Sequence, residues 1–482
     1  MHLKKYLAMI LAMLLCLSVF TACKKDGSTG APAITPPTAI SAVKQTDYTS
    51  DPALLERVTN LFGTFDDLGE TAASDFEWSE NDGVVTVTKY IGTSGTVRVP
   101  TAIAGKPVKG IGDAAFADNT ALKSLYLPDS ITRLGKGILK GCTAIESLRT
   151  PQMAMYNDET YYLGYLFAES VTLGNKTPWR DNSALVPPSL KYLSIGRMTK
   201  LPDYALFDCN DLECVRLEDC VAEIGTYAMF QCERLVALRA DGLTSVGDYG
   251  LAKCRTLTRL DFSDRMTSFG FGMLEGCGEL RRLTLPFVGK TATESNYLGY
   301  LFGATVPEFS KTFYPPYLVE INLLSGCTSL GANAFWECVS LTRISLPETL
   351  ASIGLRAFEG CVRLQGVAIP AAVTSIAENA FLDCHSLASL TFAENAALTS
   401  IGINAFYRCV SLTDVSLPAS LSTLPASCFA DCTALGRIDL ANVARVGKNA
   451  FRNCAALRTV IAGLSVEFDD GNDAATQCLP QK

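Results

Sequence analysis

Asn404-Ala405-Phe406-Tyr407-Arg408-Cys409-Val410-Ser411-Leu412-Thr413-Asp414-Val415-Ser416-Leu417-Pro418 is one statement of a phrase that recurs down most of this 482-residue chain. Its general form is Ala-Phe-x-x-Cys-x-x-Leu-x-x-Val-x-Leu-Pro-x-x-Leu-x-x-Ile-Gly. The clearest copies begin at Ala334-Phe335, Ala357-Phe358, Ala380-Phe381, Ala405-Phe406 and Ala450-Phe451, with cysteines at Cys338, Cys361, Cys384, Cys409, Cys432 and Cys454. A period of about 23 residues belongs to a solenoid rather than to a closed globular domain. Val415 and Leu417 alternate with Asp414 and Ser416, the two-residue rhythm of a strand with one buried face. Pro418 cannot continue a hydrogen-bonded ladder and stops that strand. Phe406, Cys409 and Leu412 form an inward set on a short helical or 3₁₀ segment, and Leu421 and Leu424 cover the return path. One unit buries too little apolar surface to fold alone, so stacking must supply the rest. The expected fold is therefore α/β, a solenoid of parallel strands and short helical or 3₁₀ segments, with two enlarged repeats.

The array extends over residues 84–465. Leu206-x-x-Cys209, Met229-x-x-Cys232, Leu251-x-x-Cys254 and Leu274-x-x-Cys277 keep the size of Phe without its ring. The enlarged repeats share Tyr162-Leu163-Gly164-Tyr165-Leu166-Phe167 and Tyr297-Leu298-Gly299-Tyr300-Leu301-Phe302, each followed by a double proline, Pro187-Pro188 and Pro315-Pro316. Tyr162, Tyr165, Tyr297 and Tyr300 are candidate contacts on these inserts, with core filling as the other reading. Before the array, residues 51–83 form an N-terminal helical cap region, opened by Asp51-Pro52. Residues 466–482 read as a C-terminal tail.

The first residues read as a processing signal. Lys4 and Lys5 precede the apolar run Tyr6–Phe20, which is short for a membrane span and ends at Thr21-Ala22-Cys23. A small residue directly before a cysteine resembles the lipobox of bacterial lipoproteins, which implies removal of residues 1–22 and lipidation at Cys23. A secretory signal with an incidental cysteine is the alternative. Residues 23–50, rich in Gly, Ser, Thr and Pro, read as a flexible lipid-anchored tether.

Eighteen cysteines in an exported chain invite a disulfide framework. Their spacing argues against one. Most occupy a single inward repeat position, and parallel Cβ vectors in stacked turns do not suit a bridge. Buried free thiols are expected, with Cys214, Cys220, Cys428 and Cys478 off that position. No CxxC pair or converging histidines suggest a metal, and no cofactor motif occurs. His2 and His385 are the only histidines. There is no phosphate loop, HExxH or GxSxG, so an enzyme is not expected. The net charge of -8 speaks against nucleic acid.

The phrases Asn379-Ala380-Phe381-Leu382-Asp383-Cys384, Leu341-Thr342-Arg343-Ile344-Ser345-Leu346-Pro347 and Thr374-Ser375-Ile376, with Gly105-Lys106-Pro107-Val108 near the start, resemble the BspA-like leucine-rich repeat proteins. The resemblance implies a surface protein that binds host matrix proteins or other bacteria. The anchor resembles that of a Bacteroides lipoprotein and implies an outer-membrane location. Lys24-Lys25 stand where surface-exported members often carry acidic residues, which leaves a periplasm-facing orientation open beside cell-surface display.

A ligand would meet the outward strand positions. Arg216, Arg239, Arg259 and Arg282 fall there in four successive repeats and suggest a basic ridge on an acidic protein. The expected partner is an extracellular or host matrix protein, another bacterial surface component or an anionic glycan. A structural or assembly role in a surface complex is the second reading.

Overall fold

A computed structural model describes residues 52–153, 162–168, 182–294, 296–463 and 465–478. The signal segment, Cys23, the tether and Asp51 lie outside them.

Each turn carries two strands. The longer holds the Val-x-Leu pattern, and the shorter is a two-residue bridge such as Ser352–Ile353. Longer strands pair in parallel with the next turn. One six-stranded sheet contains Thr96–Arg98, Ser124–Tyr126, Ser147–Thr150, Tyr192–Ile195, Cys214–Leu217 and Ala237–Arg239. A second begins at Arg259–Asp261 and ends at Ser389–Phe392, and a three-stranded ladder follows from Asp414–Ser416 to Thr459–Ala462. The short bridges form parallel ladders of their own, and the last of these reaches Glu467–Phe468, paired with Arg445–Val446. The segment read as a tail from residue 466 therefore contributes a rung, followed by a short helix, Asp473–Thr476.

The Ala-Phe segment is a run of hydrogen-bonded turns with two left-handed residues, Asn404 (φ 56) and Arg408 (φ 60) in the copy quoted above. This geometry divides the backbone donors. The N–H groups of Asn404, Phe406 and Arg408 donate to Ala426, Cys428 and Ala430 of the next turn, while those of Tyr407 and Cys409 donate within their own turn. A regular helix would point every donor along its own axis. The alternation turns this side of the coil into a third set of bonds between turns.

Inside, like stacks on like. Phe335, Phe358, Phe381, Phe406, Phe429 and Phe451 are fully buried. Their neighbouring rings lie 4.9–6.0 Å apart, and within 12° of parallel. Beside them the thiols from Cys361 onward in the repeat column donate to a Phe carbonyl of the preceding turn: Cys361 to Phe335 at 3.2 Å, Cys384 to Phe358 at 3.2 Å and Cys454 to Phe429 at 3.1 Å. All sixteen described cysteines are free, and Cys220 is the exposed one among them. The inward column thus uses the thiol as a small hydrophobe with one weak donor.

The cap region holds α1, Pro52–Gly63, whose Val58 and Phe62 are buried. It also contains a strand, Phe76–Asn81, antiparallel to Val84–Tyr90. Asp82 and Gly83, at φ 51 and 76, make the tight turn between them. This hairpin covers the open edge of the first turn, so that its backbone groups cannot pair with another chain.

Burial pushes the Cys338 and Cys232 thiols from the ordinary 9.0 up to about 12. Well below pH 9 these thiols are neutral in both folded and unfolded chains. Above it the unfolded chain loses protons that the folded chain keeps, so stability falls as pH rises from about 9 toward 12. Thermal melts should be flat from pH 6.5 to 7.5, begin to fall above about pH 8 and drop steeply by pH 10. Phe381→Ala should cost about 3–5 kcal/mol in a denaturant titration, since it opens a cavity between two stacked rings.

Candidate binding face

Outward side chains of a strand flank its inward residue, so each sheet presents two columns. In the first sheet the register sets Arg98 beside Tyr126, Tyr126 beside Arg149, Arg149 beside Ser194, Ser194 beside Arg216 and Arg216 beside Arg239. Four guanidinium groups share one column over six strands. The other column runs Thr96, Ser124, Ser147, Tyr192, Cys214 and Ala237.

Helix α1 packs on that second column. Val58, Phe62 and the following Phe65 bury themselves against Tyr192, Cys214 and Ala237, where the small residues make room for aromatic rings. Phe62 meets Tyr192 edge-on at 5.7 Å, and Phe65 meets Tyr126 at 5.5 Å. Arg57 on the helix pairs with Glu213 at 2.6 Å. Beside the helix lies a cleft of about 330 Å³, lined by Phe62, Phe65 and Asp66 on the helix side. Arg98, Tyr126, Arg149, Tyr192, Ser194 and Arg216 form its sheet side, with Asp129 and Glu218 completing it.

The arginines differ in their surroundings. Arg149 is 3% exposed; it donates to the Leu127 carbonyl at 2.6 Å, to Asp129 at 2.5 Å and twice to Glu218 at 3.0 Å. Tyr126 is flanked by two cations, with Arg98 4.3 Å and Arg149 4.9 Å from its ring centre. Arg98 donates through Nη1 to the Leu68 carbonyl at 2.9 Å, while its buried Nε has no acceptor. Arg216 faces the Tyr192 hydroxyl, whose pKa burial raises against the lowering effect of that cation. Arg239 lies 4.4 Å over the Phe62 ring. Among the described residues, Arg98, Arg216 and Arg239 take part in no ion pair.

The single ridge expected from sequence divides here. Arg216 and Arg239 follow the inward Val215 and Leu238, whereas Arg259 and Arg282 precede Leu260 and Leu283. The latter two pair with each other in the second sheet, on the other side of the inward column. Arg259 is buried against Asp261 at 2.6 Å. Arg282 meets Glu320 at 3.3 Å, which also accepts Arg343 at 3.6 Å. Their places in the column are taken by Arg98 and Arg149, which sequence reasoning missed. The signal was present: each follows an inward residue, Val97 or Leu148, as Arg216 follows Val215.

The insert tyrosines are mostly packed away. Tyr162, Tyr165 and Tyr297 are buried, Tyr300 is half-buried, and Tyr297 donates to the Ala304 carbonyl at 3.0 Å. Phe309, 58% exposed, projects from the second enlarged repeat instead, and Val306, Phe313 and Tyr317 are exposed near it in sequence.

A family model for the BspA type leucine-rich repeat region, in six copies, matches residues 101–177, 181–297, 309–436 and 356–470. The chain belongs to the BspA type leucine-rich repeat family. No match was found among curated proteins. Among solved structures, this BspA type chain is similar to a leucine rich cell surface protein from Faecalibacterium prausnitzii, at 18% identity and a TM-score of 0.30. That match covers 86% of this chain and 100% of the other. A leucine-rich repeat protein from Bacteroides ovatus matches at 17% identity and a TM-score of 0.30, over 84% and 99% of the two chains. Among the described residues no group of acids, cysteines and histidines is placed to hold a metal ion. No described helix is long and apolar enough to cross a membrane.

Removing Arg149 would leave Glu218 without its bidentate partner at a part-buried site. Arg149→Ala should lower stability by about 3 kcal/mol, read from denaturant midpoints. The loss should be nearly independent of salt, because buried pairs are poorly screened.

Proposed function

We propose that this protein is a cell-envelope binding module, lipid-anchored at Cys23 in the outer membrane, that takes an anionic partner on the outward face of its first sheet. The observation that carries this reading is the in-register column Arg98, Arg149, Arg216 and Arg239. Three of its members have no carboxylate partner, on a chain whose net charge is -8. Overall charge would repel an anion, so a local concentration of unpaired guanidinium groups is a directional exception. Host matrix protein, another bacterial surface component and anionic glycan all fall in the partner class. The exposed Val306, Phe309 and Phe313, close together in sequence, favour a second role in assembly, because exposed apolar side chains suit coverage by another subunit.

The full-length protein would be screened on an array of glycans and matrix proteins, alongside Arg216→Ser/Arg239→Ser and Arg282→Ser. Binding of anionic array members should fall tenfold or more in the double variant and stay unchanged in Arg282→Ser, whose guanidinium already engages Glu320. Melting temperatures should be nearly equal. Undiminished binding by the double variant removes the column from consideration as the site.

A further inference from the structure

We infer that the cleft beside α1 is a site for the carboxylate of an acidic sugar, an inference that rests on the anionic reading of the arginine column. The cleft is more specific than the column, because it carries both charges. Asp129 and Glu218 are occupied by Arg149. Arg98 and Arg216 are the cleft's arginines without a carboxylate partner. Arg98 spends Nη1 on the Leu68 carbonyl and holds its guanidinium over Tyr126 at the cleft's edge. A planar guanidinium fork matches a carboxylate in geometry.

The rest of the lining narrows the ligand. Asp66, Asp129 and Glu218 put acceptors around the same space. A sulfated or phosphorylated polyanion offers these acceptors no protons. A sugar acid brings one negative group together with several hydroxyl donors, and so answers both halves of the lining. Ser194, buried on the floor and 3.5 Å from Glu218, adds a hydroxyl that can donate or accept. Phe65, Tyr126 and Tyr192 pack against one another and against the flanking guanidinium groups, and so hold the polar lining in place rather than offering a free ring face. The volume, about 330 Å³, lies at the small end of ligand sites and suits one or two rings. The site is also held in advance: α1 is fixed by Phe62 and Phe65, and Arg149 is locked by its four hydrogen bonds.

The test is a calorimetric or ligand-detected NMR titration of the full-length protein with glucuronate and with N-acetylneuraminate. Glucose, inorganic sulfate and a triglutamate peptide serve as comparison probes. One or both sugar acids should bind saturably, and Arg216→Ser and Arg98→Gln should each weaken that binding about tenfold or more. Circular dichroism of both variants checks that the fold is kept, and Arg282→Ser should bind as the parent does. Glucose binding as well as glucuronate overturns the role of the carboxylate. Tighter binding of sulfate or the peptide than of either sugar acid overturns the sugar assignment, as does unchanged affinity in Arg216→Ser. If neither sugar acid binds while array partners still depend on Arg216 and Arg239, the cleft inference fails and the broader anionic reading survives.

Discussion

Parallel pairing in register is the constraint on which everything else in this molecule rests. It assigns each side chain a neighbour one turn along, and so forces similar residues into columns. Inside, that is favourable: phenyl rings lie flat on phenyl rings, and thiols sit beneath carbonyls. Outside, the same rule would crowd guanidinium on guanidinium. The first sheet handles this by interleaving. Tyr126 separates Arg98 from Arg149, and Ser194 separates Arg149 from Arg216. The adjacent pair, Arg216 and Arg239, is eased by the Phe62 ring under Arg239 and the phenol of Tyr192 near Arg216.

The period, the inward residues and the parallel strands were legible in the sequence because each repeat restates them. Val415, Phe406 and Cys409 are buried as their spacing requires, and Leu417 packs partly buried at the core's edge. What the spacing did not convey was the column to which an outward residue belongs. Arg239 and Arg259 both read as outward strand residues, yet one follows and the other precedes its inward leucine. A shift of two residues moves a side chain across the sheet face, and a repeat period that varies by a residue or two hides that shift. The turns of the Ala-Phe segment were hidden for a different reason. Their left-handed positions hold Asn404 and Asn449 in some copies, but Tyr204, Tyr227 and Tyr249 in others, and tyrosine gives no turn signal.

Helix α1 changes what the solenoid can do. A bare outward face is flat, and flat faces desolvate small ligands poorly. The helix lies across one column and leaves the other as the wall of a cleft, so Ser194 and Tyr192 are buried on a surface that would otherwise be open. Its contribution was invisible from the repeats because it comes from residues before them. The apolar run Leu54, Leu55, Val58, Leu61 and Phe62 predicts a helix with a buried face, but not which surface that face meets. The fit depends on small partners at Cys214 and Ala237, residues that look unremarkable in their own repeats.

The enlarged repeats interrupt the chain and the ladder of short bridges, but not the ladder of longer strands. Ser147 pairs directly with Tyr192, and Arg282 with Glu320, although the segments between them are much longer than one unit. The bonds between longer strands therefore do not register how much polypeptide intervenes. Such a scaffold separates two histories: the rungs are held by their neighbours, while the excursions answer only to whatever lies outside. Lineages can lengthen, trim or exchange those excursions and inherit the rail unchanged.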